Sequence, residues 1–398
     1  GQPSLRYGFS GCGGLFAAEG ALMKLFYTDA SFMVAGRPRP NIPFLCDAEM
    51  ELVSAPNDYL RYVATVKGRT RSEKTWRTYG NDLLEFFAFL EGNDLAWDTV
   101  NQTQIGAWRD AMLERGCKRG TVNQRLRCVD TFYDWALKKG ITHAIPFSKE
   151  EIWVSKPQGF LAHVDASGGR FEANELTVRA HKSLPKFLHL DQAKTFLESM
   201  TPYRLKLMGY LMLLTGMRRE EVAGFDYRVL PNPAGRDPAK QIAMILDPAL
   251  TPTKGDKERT VMLPYDLAAA LYHYFTFECP KLLVKHKRTH GQETTCLFLS
   301  EDGEALSLTG LNNAFRRFSE KTGIKCHPHM LRHTFGTYEL LRISRVKTQS
   351  QALLWVRDRM GHSSITTTEK YIHAADLVQH DDADGFQADI CRVLRDGH

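Results

Sequence analysis

Between residues 55 and 146, apolar residues recur about every 3.6 positions, the spacing of an amphipathic helix. Helices are predicted over 73–90 and 103–113, and Thr121 is a candidate N-cap for a third. The first stripe consists of Trp76, Leu83, Leu84, Phe86, Phe87 and Leu90. The third consists of Val122, Leu126, Val129, Phe132 and Trp135. Because a stable helix must bury such a face, these stripes predict the core of an all-helical domain over 55–148.

The segments on either side of this region lack a sustained period. Residues 1–54 contain clusters of Gly and Pro, which predict loops around one short helix near 15–26. We treat them as an N-terminal extension of unknown role. Residues 149–183 are rich in Gly, Ser and Pro in their central part and are predicted to form a linker.

A second domain is predicted over 184–398, including a C-terminal tail. Two runs, 241–246 and 258–263, have strand character and would form a β-hairpin around a turn at Gly255. Helices are predicted over 192–200, 205–215, 265–277, 308–322, 329–343 and 351–360. The end of the chain, 376–396, indicates at most an amphipathic, acidic helix. Its apolar pattern, Leu377, Val378, Phe386, Ile390 and Leu394, predicts packing on a neighbouring protomer. The predicted fold class is therefore mainly α, with a small β-hairpin in the second domain.

The composition is that of a globular protein and does not identify its function. The 398 residues correspond to two or three domains, and 43% apolar with 25% charged residues is typical of globular proteins. No apolar run reaches the roughly 18 residues of a membrane span. The 8 cysteines are scattered without a CxxC pair, which favours reduced thiols and a cytoplasmic location.

The positive charge is unevenly distributed. The net charge is only +6, but residues 61–77 contain six basic residues and one acid, and 115–127 contain five basic residues and no acid. Two basic clusters on a helical domain could follow a nucleic-acid backbone, or they could be solvated helix faces. The candidate DNA-contacting residues are Arg71, Lys74, Arg77, Lys118, Arg119, Arg125 and Arg127.

Four separated segments carry the candidate chemistry. They are Thr215-Gly216-Met217-Arg218-Arg219-Glu220-Glu221, Thr253-Lys254-Gly255-Asp256-Lys257-Glu258-Arg259, His327-Pro328-His329-Met330-Leu331-Arg332-His333, and Met360-Gly361-His362-Ser363-Ser364 with Tyr371. Tyr371 comes nine residues after His362 and is predicted to start a short helix. Arginines bind phosphate oxygens in a bidentate manner, and lysine can protonate a leaving alkoxide. A tyrosine can attack phosphorus and store the bond as an ester. Such a set needs no metal, because its cations are side chains.

Each residue also has an ordinary interpretation. Arg218 could complement a helix end, the two hairpin lysines could be edge charges, and Tyr371 could belong to the core. The crowding of Cys326, His327, His329 and His333 raises a zinc site as a rival, but Arg332 would repel a cation there. The basic stretch 281–290 is predicted to be a solvated loop, with a DNA-backbone contact as the alternative.

Taken together, the four segments resemble the tyrosine recombinase, or phage integrase, family. Residues 215–221 fit its TGxRxxE box, 254–259 its xKGxKxR hairpin, and 329–333 its HxxRH box. Its LGHxxxxxTxxxY box is present with Met360 in place of the leading Leu. The specific likeness covers about 184–375. Residues 55–146 resemble more weakly the helical, SAM-like core-binding domain that clamps DNA opposite the catalytic domain.

The resemblance implies a role for each phosphate-binding residue. Arg218 and Arg332 would hold the scissile phosphate, and His362 would donate to one of its oxygens. Glu221 would order the cations.

The resemblance also implies how protons move during catalysis. Tyr371 would be the nucleophile, and His329 would assist proton transfer to or from it, with His333 in a supporting position. The residues alone do not decide between Lys254 and Lys257 as the proton donor to the 5′-hydroxyl, and the family position is that of Lys254.

The implied activity is site-specific recombination of duplex DNA through a 3′-phosphotyrosyl intermediate, without metal, ATP or another cofactor. Integration, excision, inversion and resolution of mobile or plasmid DNA are all compatible with it. The implied partners are double-stranded DNA, a homotetramer on two sites and accessory DNA-bending proteins, in the cytoplasm and at the nucleoid. Alternatives are a type IB topoisomerase-like or telomere-resolving enzyme, and a non-catalytic site-specific DNA-binding protein.

Overall fold

The computed structural model describes residues 23–68, 72–154, 169–180, 185–253, 255, 257–362, 366–375, 378 and 380–396. These residues form two compact units. The first contains the described residues up to 154 together with 169–180, and the second contains those from 185 onward.

The first unit is a helical domain with two short hairpins before it and one after it. Strands β1 (Lys24–Tyr27) and β4 (Pro43–Cys46) pair antiparallel, and β2 (Met33–Val34) pairs with β3 (Arg37–Pro38). The helices are α1 (Ser54–Thr65), α2 (Glu73–Gly92), α3 (Gln102–Glu114) and α4 (Arg119–Lys138). A further antiparallel hairpin joins β5 (Lys149–Val154) and β6 (Gly169–Asn174).

The predicted aromatic stripes are confirmed as the core of this unit. Phe86, Trp108 and Phe132 are fully buried, and the ring centroids of Trp108 and Phe86 lie 5.0 Å apart.

Two features of this unit differ from the sequence predictions. Helix α4 begins at Arg119, with Lys118 rather than Thr121 at its N-cap, since the apolar stripe does not mark the first turn. The predicted short helix near 15–26 lies largely outside the described residues, and its last residues belong to β1.

The second unit is mainly helical around one hairpin. Before the hairpin come α5 (Leu190–Ser199), α6 (Tyr203–Thr215) and α7 (Arg219–Ala223). The hairpin consists of β7 (Ile242–Leu246) and β8 (Arg259–Leu263), paired antiparallel with Leu246 opposite Arg259. After it come α8 (Tyr265–Phe277), α9 (Cys279–His290), α10 (Leu308–Thr322), α11 (Pro328–Ser344), α12 (Gln349–Met360), α13 (Thr366–Ala375) and α14 (His380–Asp396).

Helices α6 and α11 form the centre of this unit. Most residues of α6 are buried on every side, as its near-continuous apolar sequence requires, and α11 packs against α6, α12 and α13. Two helices of this unit differ from the predictions. Residues 281–290 belong to α9 rather than to a loop. Tyr371 lies in the middle of α13, not at the start of a helix.

Helix α14 packs against its own domain. Its apolar residues Val378 (just before the helix), Phe386, Ile390 and Leu394 are buried, and Phe386 stacks on Tyr338 with ring centroids 3.8 Å apart. Its neighbours are α5, α8 and α11. The apolar pattern of this segment suggested packing on a neighbouring protomer, but the structure covers this face within the chain itself. An apolar pattern shows that a face is buried, not which chain covers it.

Candidate active site

The end of α6 positions Arg218. Gly216 ends the helix in the left-handed conformation with φ of 67°, and a side chain there would collide with the ring of Phe335. The chain then turns into α7 with Arg218 at the N-cap. The backbone N–H of Arg218 donates to Oε2 of Glu221 at 2.7 Å, so the carboxylate caps the first turn of α7.

Glu221 joins two arginines from different elements. Its Oε1 accepts from Nη1 of Arg218 at 2.9 Å, and its two oxygens accept from Nη1 and Nη2 of Arg259 at 2.5 and 2.7 Å. Burial raises the pKa of Glu221, but the hydrogen bonds and charge of Arg259, and then of Arg218, bring it below its usual range. The carboxylate is therefore ionised and fixes both guanidinium groups.

Arg332, on α11, is buried at the convergence of two helix ends. Its guanidinium donates to the carbonyl of Gly216 after α6 and, at 2.5 Å, to the carbonyl of Met360 at the end of α12. Carbonyls at helix C-termini carry partial negative charge, which favours a cation. Burial and the charges of Arg218 and Arg259 lower the pKa of Arg332 to about 9, so it remains protonated at neutral pH.

Tyr371 lies against the same helix. Its side chain is fully buried, and its hydroxyl lies 2.8 Å from Nδ1 of His333. Gly336 leaves room for the ring, because a side chain there would come within 2.8 Å of its Cζ. Burial raises the pKa of Tyr371, although Arg332 and Arg218 act in the opposite direction. The hydroxyl therefore keeps its proton at neutral pH and needs a base for ionisation.

Two histidines, His333 and His362, lie against the tyrosine, and His329 packs on His333. Burial, followed by the charge of Lys370, lowers the pKa of His333 to about 2. Burial and Arg332 lower the pKa of His362 to about 3, and desolvation and Arg332 lower that of His329 to about 4. His333 is therefore neutral at neutral pH, with its Nδ1 at hydrogen-bond distance from the Tyr371 hydroxyl. His362 is held by a 2.9 Å hydrogen bond between Nδ1 and Oγ1 of Thr368.

An open cleft of about 860 Å³ reaches Arg218 and His362, whereas Tyr371 and Arg332 lie buried behind its walls. Its walls come from the end of α12, from β8 and from the hairpin turn before β8. Arg218, Arg259 and His362 line it together with Lys257, Trp355 and Arg359. The arrangement can bind a phosphate through guanidinium groups beside a tyrosine hydroxyl.

The structure brings together most of the residues predicted for the site: Arg218, Glu221, Arg332, His362 and Tyr371. Lys254 lies outside the described residues, whereas Lys257 is exposed in the cleft. The contact to the Tyr371 hydroxyl is made by His333, not by His329. The two histidine rings pack 4.3 Å apart one helical turn from each other, and the later one faces α13.

Sequence reasoning gave no role to Arg259, Trp355 or Arg359. Arg259 belongs to the hairpin segment, where it occupies the last position of the xKGxKxR pattern. That position is the sequence feature that points to it. Trp355 and Arg359 stand four residues apart on α12, but nothing in the local pattern distinguishes them from a solvated face.

The predicted DNA-contacting residues of the first unit lie on α2 and at the start of α4. Lys74, Arg77, Lys118, Arg119 and Arg127 are exposed, and Arg77 lies over the ring of Tyr27 at 5.1 Å. Arg125 instead turns inward between Asp82 and Glu85, at 3.9 and 3.5 Å. Arg71 lies outside the described residues.

Two further properties bear on function. Within the described residues, no three His, Cys, Asp or Glu side chains come together as a metal site, and His333 of the suspected zinc cluster faces Tyr371. No helix in the described part of the chain combines the length and apolar character needed to cross a membrane.

Comparison with known proteins agrees with this geometry. Residues 186–377 match the Phage integrase family, and residues 57–140 match the phage integrase N-terminal SAM-like domain. The tyrosine recombinase XerC of Pediococcus pentosaceus is 26% identical over 330 residues, 81% of this chain and 93% of that protein. XerC of Serratia marcescens is 24% identical over 322 residues, 79% of this chain and 88% of that protein.

Solved structures share the fold. The XerH site-specific recombinase bound to palindromic difH substrate in a post-cleavage complex has a TM-score of 0.53 and 19% identity, over 81% of this chain and 82% of that one. The matches define the class of protein: a tyrosine recombinase, an enzyme of DNA strand cleavage and transfer. The chain belongs to the phage integrase family, with its catalytic and SAM-like domains both present.

Proposed function

We propose that the chain recombines duplex DNA at defined sites, with Tyr371 as the nucleophile. The observation that carries this proposal is the placement of the Tyr371 hydroxyl 2.8 Å from neutral His333, beside the buried guanidinium of Arg332. A core tyrosine with only a packing role would not require two neutral histidines and two arginines around it.

The proposed first step is cleavage of one strand. The Tyr371 oxygen attacks phosphorus while its proton passes to Nδ1 of His333, and the bond from phosphorus to the 5′-oxygen breaks. Arg218 and Arg332 neutralise the charge that grows on the non-bridging oxygens, and His362 donates to one of them. Lys254 protonates the departing 5′-oxygen, which leaves a 3′-phosphotyrosyl ester and a 5′-hydroxyl.

The second step reverses the first on a different strand. A 5′-hydroxyl of the partner duplex gives its proton to Lys254 and attacks the phosphotyrosine. The bond from phosphorus to the Tyr371 oxygen breaks, and that oxygen takes back the proton held by His333. One phosphoester replaces another at each step, so the chemistry consumes no ATP. We extend the proposal to four protomers on two duplexes at the nucleoid, with both domains of each contacting DNA and accessory bending proteins assisting.

The test is capture of the covalent intermediate. Wild type and Tyr371→Phe would be incubated with duplexes from the DNA flanking the native gene, without ATP, and analysed in SDS. We expect an SDS-stable adduct with wild type only, and sequencing of the trapped DNA would map the cleavage site. An adduct formed equally by the phenylalanine variant would contradict the role of Tyr371.

Products distinguish the related activities. Exchange of flanking sequences between two mapped sites supports recombination, whereas relaxation of supercoils without exchange would indicate a topoisomerase-like enzyme. A salt-sensitive gel shift with no adduct on any flanking duplex would favour a DNA-binding protein without strand cleavage.

A further inference from the structure

The active-site cleft continues beyond the proposed catalytic residues to one face of α12. Trp355 and Arg359 lie one helical turn apart on this face and line the cleft, as His362 does just after the helix ends. Gly361 makes this possible, because its φ of 60° turns the chain sharply after Met360. The two sets of residues therefore share one open space.

The ring of Trp355 holds the guanidinium of Arg359 in place. Its Cζ lies 4.5 Å from the centroid of the Trp355 ring, a cation–π contact. The indole is fixed in turn, because its Nε1 donates to Oε1 of Glu339 at 3.0 Å. Glu339 also accepts two 2.9 Å hydrogen bonds from Arg342. The guanidinium is thus oriented by a chain of contacts that does not neutralise it.

The charge of Arg359 has no carboxylate in ion-pair range among the described residues of the chain. Glu339 is occupied by Arg342 and Trp355, and Asp358 in the cleft pairs with Arg357 at 2.7 Å. Glu258 also lines the cleft, where its side chain is exposed to solvent. The charge of Glu339 acts on Arg359 from beyond ion-pair range, but Arg342 shares that carboxylate. A bound anion would therefore still stabilise this half-buried, oriented guanidinium.

We propose that Arg359, braced by Trp355, binds a DNA backbone phosphate next to the scissile phosphate. This inference rests on the proposed function, since DNA must enter the cleft to reach Tyr371. Each nucleotide of a strand carries one phosphate, so a cleft that receives one phosphate at Arg218 also receives its neighbour. Arg359 is then a positioning residue: it fixes the strand and leaves the chemistry to the other end of the cleft.

The test neutralises the anion and the cation separately. Duplexes containing the mapped cleavage site would carry a single methylphosphonate, which lacks the phosphate charge, at successive positions around the scissile bond. Their binding constants across a salt series and their single-turnover cleavage would be measured with wild type, Arg359→Gln and Trp355→Ala. Arg345→Gln, which removes an exposed arginine on no wall of the cleft, is the matched control.

With unmodified DNA we expect Arg359→Gln to weaken binding about 10- to 100-fold, the range of a charge-assisted hydrogen bond. A methylphosphonate at one position next to the scissile bond should weaken DNA binding by wild type by a similar factor. The same substitution should not change DNA binding by Arg359→Gln. The slope of log K against log salt should fall by about one for this variant. Trp355→Ala should show a partial version of the same pattern.

Three outcomes would overturn the inference. The methylphosphonate effects could be the same for Arg359→Gln as for wild type, which would show that no phosphate contacts this arginine. The variant could lose stability in denaturant without a change in salt slope, which would show a structural role. Arg345→Gln could reproduce the pattern, which would show a general effect of charge. Wild-type adduct formation separates each of these from failure of the proposed function.

Discussion

Three guanidinium groups and one carboxylate meet in the active site. Glu221 compensates part of the charge of Arg218 and Arg259, and the carbonyls at the ends of α6 and α12 stabilise Arg332. The site therefore holds excess positive charge before any substrate binds. Such an arrangement costs folding free energy that a bound phosphate would return, because the anion completes the charge balance.

Glu221→Gln tests this balance at the level of one residue. The change leaves two nearby guanidinium groups without their shared anion, and breaking such a buried pair costs about 3–5 kcal/mol. Glu220→Gln is the matched control, because its pair with Arg219 is partly exposed and is worth about 1 kcal/mol or less. Urea denaturation of each variant measures the free energy of unfolding. Equal losses for the two variants would show that Glu221 does not balance the site.

Local sequence patterns account for the elements of the catalytic domain better than for its contacts. Helices α8 and α10 begin and end where the apolar period predicts, and the predicted strands contain all residues of β7 and β8. The pairs of Glu221 with Arg259 and of His333 with Tyr371 join residues 38 positions apart in each case. Helix periodicity carries no information about such contacts, since they depend on how elements pack.

The β-strands of the first unit, in contrast, could not be predicted from the local sequence. β1 pairs with β4 across a segment rich in Gly and Pro, and β5 pairs with β6 within the predicted linker. Short strands of two to six residues have too few positions for a period of two to stand out, and turn residues interrupt the segments around them. These strands arise from pairing with distant residues rather than from local preference.

The packing of α14 within its own domain leads to a prediction for this element. Ile390→Ala would leave a cavity where the side chain is fully buried against the domain, at a cost of about 2–5 kcal/mol. Arg392→Ala, on the exposed side of the same helix, should change stability by about 1 kcal/mol or less. Denaturation of both variants at several protein concentrations provides the measurement. A loss that grows on dilution would show instead that another protomer covers this face.

At the scale of the whole molecule, binding to DNA combines two separate units with different tasks. On the proposed function, the catalytic unit would fix phosphates around one scissile bond, whereas the exposed basic residues of the helical unit would contact the backbone over a longer stretch. The second contribution should be electrostatic and independent of the active site. It is therefore measurable in the full chain with a catalytically inactive Tyr371→Phe background.

Arg125 and Arg127 both lie on α4, but Arg125 faces inward and Arg127 is exposed. We therefore expect a structural role for Arg125 and a DNA contact for Arg127. Arg127→Ala should weaken binding to a duplex of arbitrary sequence and lower the slope of log K against log salt by about one, since one counterion fewer is released. Arg125→Ala should leave that slope unchanged and lower stability, because Arg125 pairs with Asp82 and Glu85 inside the helical unit. Fluorescence anisotropy across a salt series, with urea denaturation of the same proteins, distinguishes the two effects. If Arg125 governed the slope and Arg127 did not, the face of α4 that contacts DNA would be the opposite one.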